Sequence, residues 1–98
     1  MEKQKRFVSD DTLKALRNAG IIDSDELVTI TDCVVWFAEH NIAIITDYNG
    51  LDREWDAIAC ADDPRKNIRR YDVSYIDAMN AAIRDAAKAY TELKSAQQ

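Results

Sequence analysis

This chain is short of the residues from which most catalytic and metal sites are assembled. It has one histidine, two cysteines, two glycines and one proline in 98 residues. Two glycines cannot build a glycine-rich phosphate loop, and no C-x-x-C pair or His/Cys cluster is present to hold zinc or exchange electrons. Cys33 and Cys60 stand far apart among apolar neighbours and read as small buried hydrophobes in a reducing compartment. His40, between Glu39 and Asn41 near an expected helix end, reads as a cation favoured by the helix dipole rather than as a base. No serine or cysteine has a recognisable base partner. The carboxylates Asp52 and Asp56 would lie one turn apart on a helix without forming a pocket, so neither an enzyme nor a cofactor is expected.

Long apolar runs are missing as well. The longest uninterrupted one is Cys33 to Ala38, and the N-terminal MEKQKRFVSDD is charged where a signal peptide would be apolar. The expectation is a cytoplasmic protein that does not engage a membrane. At this length one domain is expected, over residues 7–98, preceded by a flexible basic segment over 1–6.

Positive charge is missing from the middle of the chain. The formal net charge of −5 conceals a stretch from Asp23 to Asp63 in which eleven carboxylates face one cation, Arg53. Such a stretch repels phosphate, and its natural partner is a basic protein surface, unless it is merely a solvated face set against the basic ends.

What is present reads as helix. Ser9 is an N-cap with Asp10 and Asp11 in the first turn, and Val8 and Leu13 have the spacing of a hydrophobic staple. This helix should run from Asp10 to Ala19, with Gly20 as a left-handed cap and Leu16 and Ile21 closing a Schellman motif. The densest apolar content follows, from Ser24 to Asn41, in a central helix capped by Asp23 or Ser24. Leu27, Ile30, Val34 and Phe37 make its buried row, while Asp25, Asp32, Trp36 and Glu39 run along the opposite side. Trp36 is thus an aromatic among carboxylates, either covered by another segment or an anchor for a partner. The two helices resemble a helix-turn-helix, but carboxylates on the recognition helix would oppose phosphate, so no double-stranded DNA binding is expected.

Residues 42–46, IAIIT, fit a short strand or an apolar linker, and with no obvious partner strand the linker is preferred. Asp47, Asn49 and Gly50 form a turn, whose glycine comes too early for a calcium loop. Asn49 and Asp52 have capping-box spacing for a helix burying Leu51, Trp55, Ile58 and Ala59. Asp63 and Pro64 open a short helix carrying Arg65, Lys66, Arg69 and Arg70, the one basic cluster. The last helix starts at Asp72 or Ser74 and runs to Ser95, with Ile76, Met79, Ile83, Ala86, Tyr90 and Leu93 as its seam.

These features point to an all-α bundle of four or five helices with a binding role. In the first reading it is an inhibitor or adaptor that presents its acidic face to a basic partner surface, such as that of a nucleic-acid-handling complex. Asp25, Asp32, Trp36, Glu39 and Trp55 are then the contact residues. Small acidic helical proteins of this kind include nucleic-acid mimics made by phages against restriction or CRISPR machinery, and toxin-immunity partners; the likeness is of size and charge, not of motif. In the second reading a homo-oligomer binds a nucleotide or other anion through Arg65, Lys66, Arg69 and Arg70.

Overall fold

The computed structural model describes residues 7–23, 28–61 and 67–96. Its first helix, α1 (Asp10–Asn18), begins as its sequence dictates, with the Ser9 side chain accepting a hydrogen bond from the Thr12 N–H. It also ends that way. Gly20 adopts φ +74, and the N–H groups of Gly20 and Ile21 donate to the carbonyls of Arg17 and Leu16, which is the Schellman pattern.

The central helix, α2 (Ile30–Glu39), is shorter than the sequence suggests, because Thr29 rather than Asp23 or Ser24 caps it through the Asp32 N–H. Leu27 and Asp25 fall outside the described residues and before this helix. Its far end repeats the device of α1 with asparagine in place of glycine. Asn41 takes φ 66, the Ile42 N–H reaches back to the Phe37 carbonyl at 2.9 Å, and Phe37 and Ile42 are both fully buried. The chain therefore leaves α2 in a sharp reversal that delivers residue 43 into a strand.

From there the all-α expectation is overturned. Residues 43–60 form an antiparallel hairpin of β1 (Ala43–Asn49) and β2 (Glu54–Cys60), and β3 (Arg69–Asp72) joins β2 on its other side, giving the order β1-β2-β3. The fold is α+β. Segment 42–46 is not a linker, and the helix expected over Leu51, Trp55, Ile58 and Ala59 is a strand. The Asn49/Asp52 pairing is real but serves the hairpin turn. Asn49 Oδ1 accepts from the N–H groups of Leu51 and Asp52, its amide donates to Asp52 Oδ2 at 2.9 Å, and Arg53 completes the turn with φ 55. The short helix expected over 65–70 is likewise corrected at its described end, since Arg69 and Arg70 lie in β3.

The last helix, α3 (Tyr75–Ala96), starts as expected on Ser74, whose Oγ accepts from the Asp77 N–H. It packs across one face of the sheet and also meets α1 and α2. Its buried side keeps Met79, Ile83 and Ala86 of the expected seam, with Tyr90 and Leu93 packed against the core, and departs from it at Ile76. Ala78, Met79, Ala82, Ile83, Ala86 and Ala87 are buried, whereas Ile76 is 41% exposed. Alanines let the helix lie close on the strands, where Ala57 and Ala59 are equally small.

Two partly buried polar contacts tie the first helix to α3. Asn80, inside the core, accepts from the Ser9 N–H at 2.8 Å and donates to the Ile76 carbonyl at 2.8 Å, while Arg84 donates to the fully buried Thr12 at 3.1 Å. Asn80→Ala strands the Ser9 N–H and should cost about 1–3 kcal/mol of stability. Chemical denaturation checks this, and a change below about 0.5 kcal/mol would mean that water replaces the amide.

Candidate functional site

The hairpin register decides which side chains share a face. Ile44, Thr46 and Tyr48 stand opposite Ala59, Ala57 and Trp55 on the side toward α3, and Thr46 Oγ1 reaches Met79 Sδ at 2.7 Å. Ala43, Ile45, Asp47 and Asn49 stand opposite Cys60, Ile58, Asp56 and Glu54 on the other side, where Ala43, Ile45 and Asp47 are exposed. Cys60 is therefore half-exposed on a strand, not buried in a helix. Cys33 does fit the buried reading: burial, with the Asp32 charge beside it, pushes its thiol up to about 11, so it is protonated and inert near neutrality.

Beyond the reach of the alanine contacts, the sheet ends in aromatic side chains. Trp55 lies between Tyr48 and Tyr75, with ring centroids 4.9 Å away on either side. Tyr48 is 48% exposed, and past it the turn carries Leu51, 97% exposed. A single exposed leucine is ordinary by itself; what gives this one weight is its place in the turn directly after the half-exposed Tyr48. In the strand register Asp47, Glu54 and Asp56 lie on the outer face beside this end and Asp72 pairs with Trp55, while Asp52 and Arg53 stand in the turn. Asp47 and Asp56 even face each other directly across the strands, an arrangement that costs stability. Arg69 relieves it in part by donating to Asp56 Oδ1 at 2.8 Å. Among the described residues no salt bridge reaches Asp47.

The candidates read from sequence are not gathered in one place. Trp36 stacks on His40 at 3.7 Å and meets Tyr90 edge-on at 5.1 Å, half-buried between α2 and α3, while Asp32 and Glu39 are exposed on the same helix. His40 closes that helix, its Nδ1 2.7 Å from the Trp36 carbonyl. Tyr75 and Tyr90, which hold the two tryptophans, are fifteen residues apart on one helix, or about 22 Å at 1.5 Å per residue. Trp36 and Trp55 thus belong to separate aromatic clusters.

The basic candidates diverge too. Neighbours in a strand point to opposite faces, so Arg69 turns outward to Asp56 while Arg70 turns inward to α3. There Arg70 grips Asp85 with two hydrogen bonds of 2.7 and 2.8 Å, which raise its pKa further. Arg65 and Lys66 lie outside the described residues.

Tyr48 has no place in the sequence reading, and Leu51, expected in a buried helical row, is instead 97% exposed in the hairpin turn. The signal that identifies them is the Asn49-Gly50 dipeptide between two segments that alternate with period two, seen in Trp55, Ala57 and Ala59. Among the described residues no group of three His, Cys, Asp or Glu is placed to hold a metal ion, and no helix is long and apolar enough to cross a membrane. No protein-family model, curated protein or solved structure matches the chain.

Proposed function

We propose that this protein is a non-enzymatic binding module, an inhibitor or adaptor, and that it engages a basic protein surface through the hairpin end of its sheet. The observation that carries this reading is the hairpin end itself, where the exposed Leu51 follows the half-exposed Tyr48 of the Tyr48–Trp55–Tyr75 cluster and Asp52 and Glu54 stand in the turn and at the start of β2. Apolar and aromatic side chains supply the energy of a contact once water is excluded, while charges around them set its orientation and its rate. Directly opposed carboxylates such as Asp47 and Asp56 cost the free protein stability, and a cationic partner relieves that cost.

The test is a photo-cross-linking amino acid placed at Leu51 or, as a control on the far helix, at Lys88 in the producing cell. Position 51 should capture a partner with a basic surface, and position 88 should not. Leu51→Asp should then weaken binding of that purified partner by about 2 kcal/mol without altering the melting temperature, because the side chain touches almost nothing in the free protein. Capture at 88 alone, or an affinity unmoved by Leu51→Asp, would refute the hairpin end as the contact.

A further inference from the structure

The sheet has two edges, and among the described residues only β3 carries the features that discourage a further strand. β3 is four residues long and carries Arg69, Arg70 and Asp72, the shortness and charge that keep an edge from pairing with another strand. β1 has seven residues, pairs with β2 in an unbroken register without a bulge, and contains one charge, Asp47, and no proline or lysine. Among the described residues no strand covers its outer edge.

One hydrogen bond shows which groups that edge offers. The Tyr48 N–H is taken by Asp47 Oδ1 at 2.9 Å, so it points away from β2. In an antiparallel ladder alternate residues turn their N–H and C=O to opposite edges. Ile44 and Thr46 therefore turn theirs outward with Tyr48, and of the three only Tyr48 has its N–H capped by a side chain.

We infer that β1 pairs antiparallel with β1 of a second copy of this chain, about a two-fold axis at Ile45, joining two sheets into one of six strands. This inference is independent of the hairpin-end reading. Three observations fix the occupant and the register. With the axis at Ile45, Ile44 of each copy faces Thr46 of the other, so the outward N–H and C=O groups of both residues are matched in four hydrogen bonds. The pairing stops before Tyr48, whose N–H is already occupied. Asp47 falls opposite the partner's Ala43, so the carboxylates of the two copies do not meet, whereas an axis at Asp47 would set them face to face. On the outer side Ile45, 53% exposed, meets its own copy beside Ile58, as an isologous contact requires.

The full chain should sediment with the mass of two copies at the top of a hundredfold concentration range and with that of one at the bottom. Ile45→Lys should hold it at one copy throughout with an unchanged melting temperature, since the side chain is largely outside the core. Register is read by cysteine. In a Cys60→Ser background, Ile45→Cys places two Cα atoms about 4.5 Å apart in a non-hydrogen-bonded pair, within disulfide reach. Asp47→Cys places them about 14 Å apart, beyond it. Mild oxidation should cross-link the first variant at least tenfold faster than the second. A monomer at every concentration, a dimer indifferent to Ile45→Lys, or equal cross-linking at the two positions would each overturn the inference; in the first case the edge is left for a foreign strand.

Discussion

Ile83→Asp leaves the chain unfolded. Ile83 is fully buried at the middle of α3, the element that packs on α1, on α2 and on all three strands. An aspartate there must either hold an unpaired charge in the core or be protonated at a large cost, and the shape of the isoleucine is lost as well. Effects of this class exceed about 4 kcal/mol, against a total stability of about 5–15 kcal/mol for a domain of ordinary size. Circular dichroism should show a loss of cooperative melting. Ile76→Asp is the companion measurement: the periodicity of the sequence puts both residues on one seam, but Ile76 is 41% exposed and should change stability by less than about 1 kcal/mol. A native melting temperature for Ile83→Asp, or equal damage from the two variants, would place the core on another side of the helix.

The second large effect is expected one turn before the end of α2. Phe37 is fully buried, closes the helix end through the hydrogen bond from Ile42, and gives its ring edge to Trp36 at 5.2 Å. Phe37→Ala should cost about 3–5 kcal/mol, the range for an aromatic removed from a packed interior. Its neighbour separates two roles. Trp36 is half-buried, so Trp36→Ala should destabilise by less than Phe37→Ala through loss of the Tyr90 and His40 contacts, and should leave the affinity of a partner bound at the hairpin end unchanged. If it instead weakens that partner by about 2 kcal/mol at constant stability, the contact face runs along Asp32, Trp36 and Glu39.

Several local signals are read correctly, although the cap of α2 is Thr29 rather than Asp23 or Ser24 and the Asn49/Asp52 pair caps a turn rather than a helix; where one segment depends on another the sequence misleads. The caps of α1, the end of α2 at Asn41 and the start of α3 at Ser74 are all short-range devices, closed by a serine side chain at the two N-termini and by backbone hydrogen bonds over a left-handed residue at the two C-termini. The sheet has no such local marker. Leu51, Trp55, Ile58 and Ala59 fit helical spacing, Trp55, Ala57 and Ala59 fit strand spacing, and alanine, glutamate and aspartate do not favour strands. What makes β2 a strand is its position between β1 and β3 with α3 across it, a tertiary effect. One misreading then entails the next, because 43–46 looks partnerless once β2 is taken for a helix. The split of the charged candidates has the same origin: adjacency in sequence put Arg69 and Arg70 in one cluster, and the strand sent them to opposite faces.

The contact between Ser9 and Asn80 bears on how the chain is made. The two residues are 71 positions apart, and Thr12 and Arg84 are 72 apart, so these polar contacts form only once α3 exists. At about 5–20 residues per second, roughly 4–14 s separate the synthesis of Ser9 from that of Asn80. During that interval Leu13, Leu16 and the rest of the first helix's apolar side have nothing from α3 to cover them. Packing of α1 onto α3 therefore waits for the later helix, and it closes the long loop between Ser9 and Asn80, a non-local step of the kind that slows folding. A ribosome stalled before residue 80 would hold a nascent chain that chaperones still recognise.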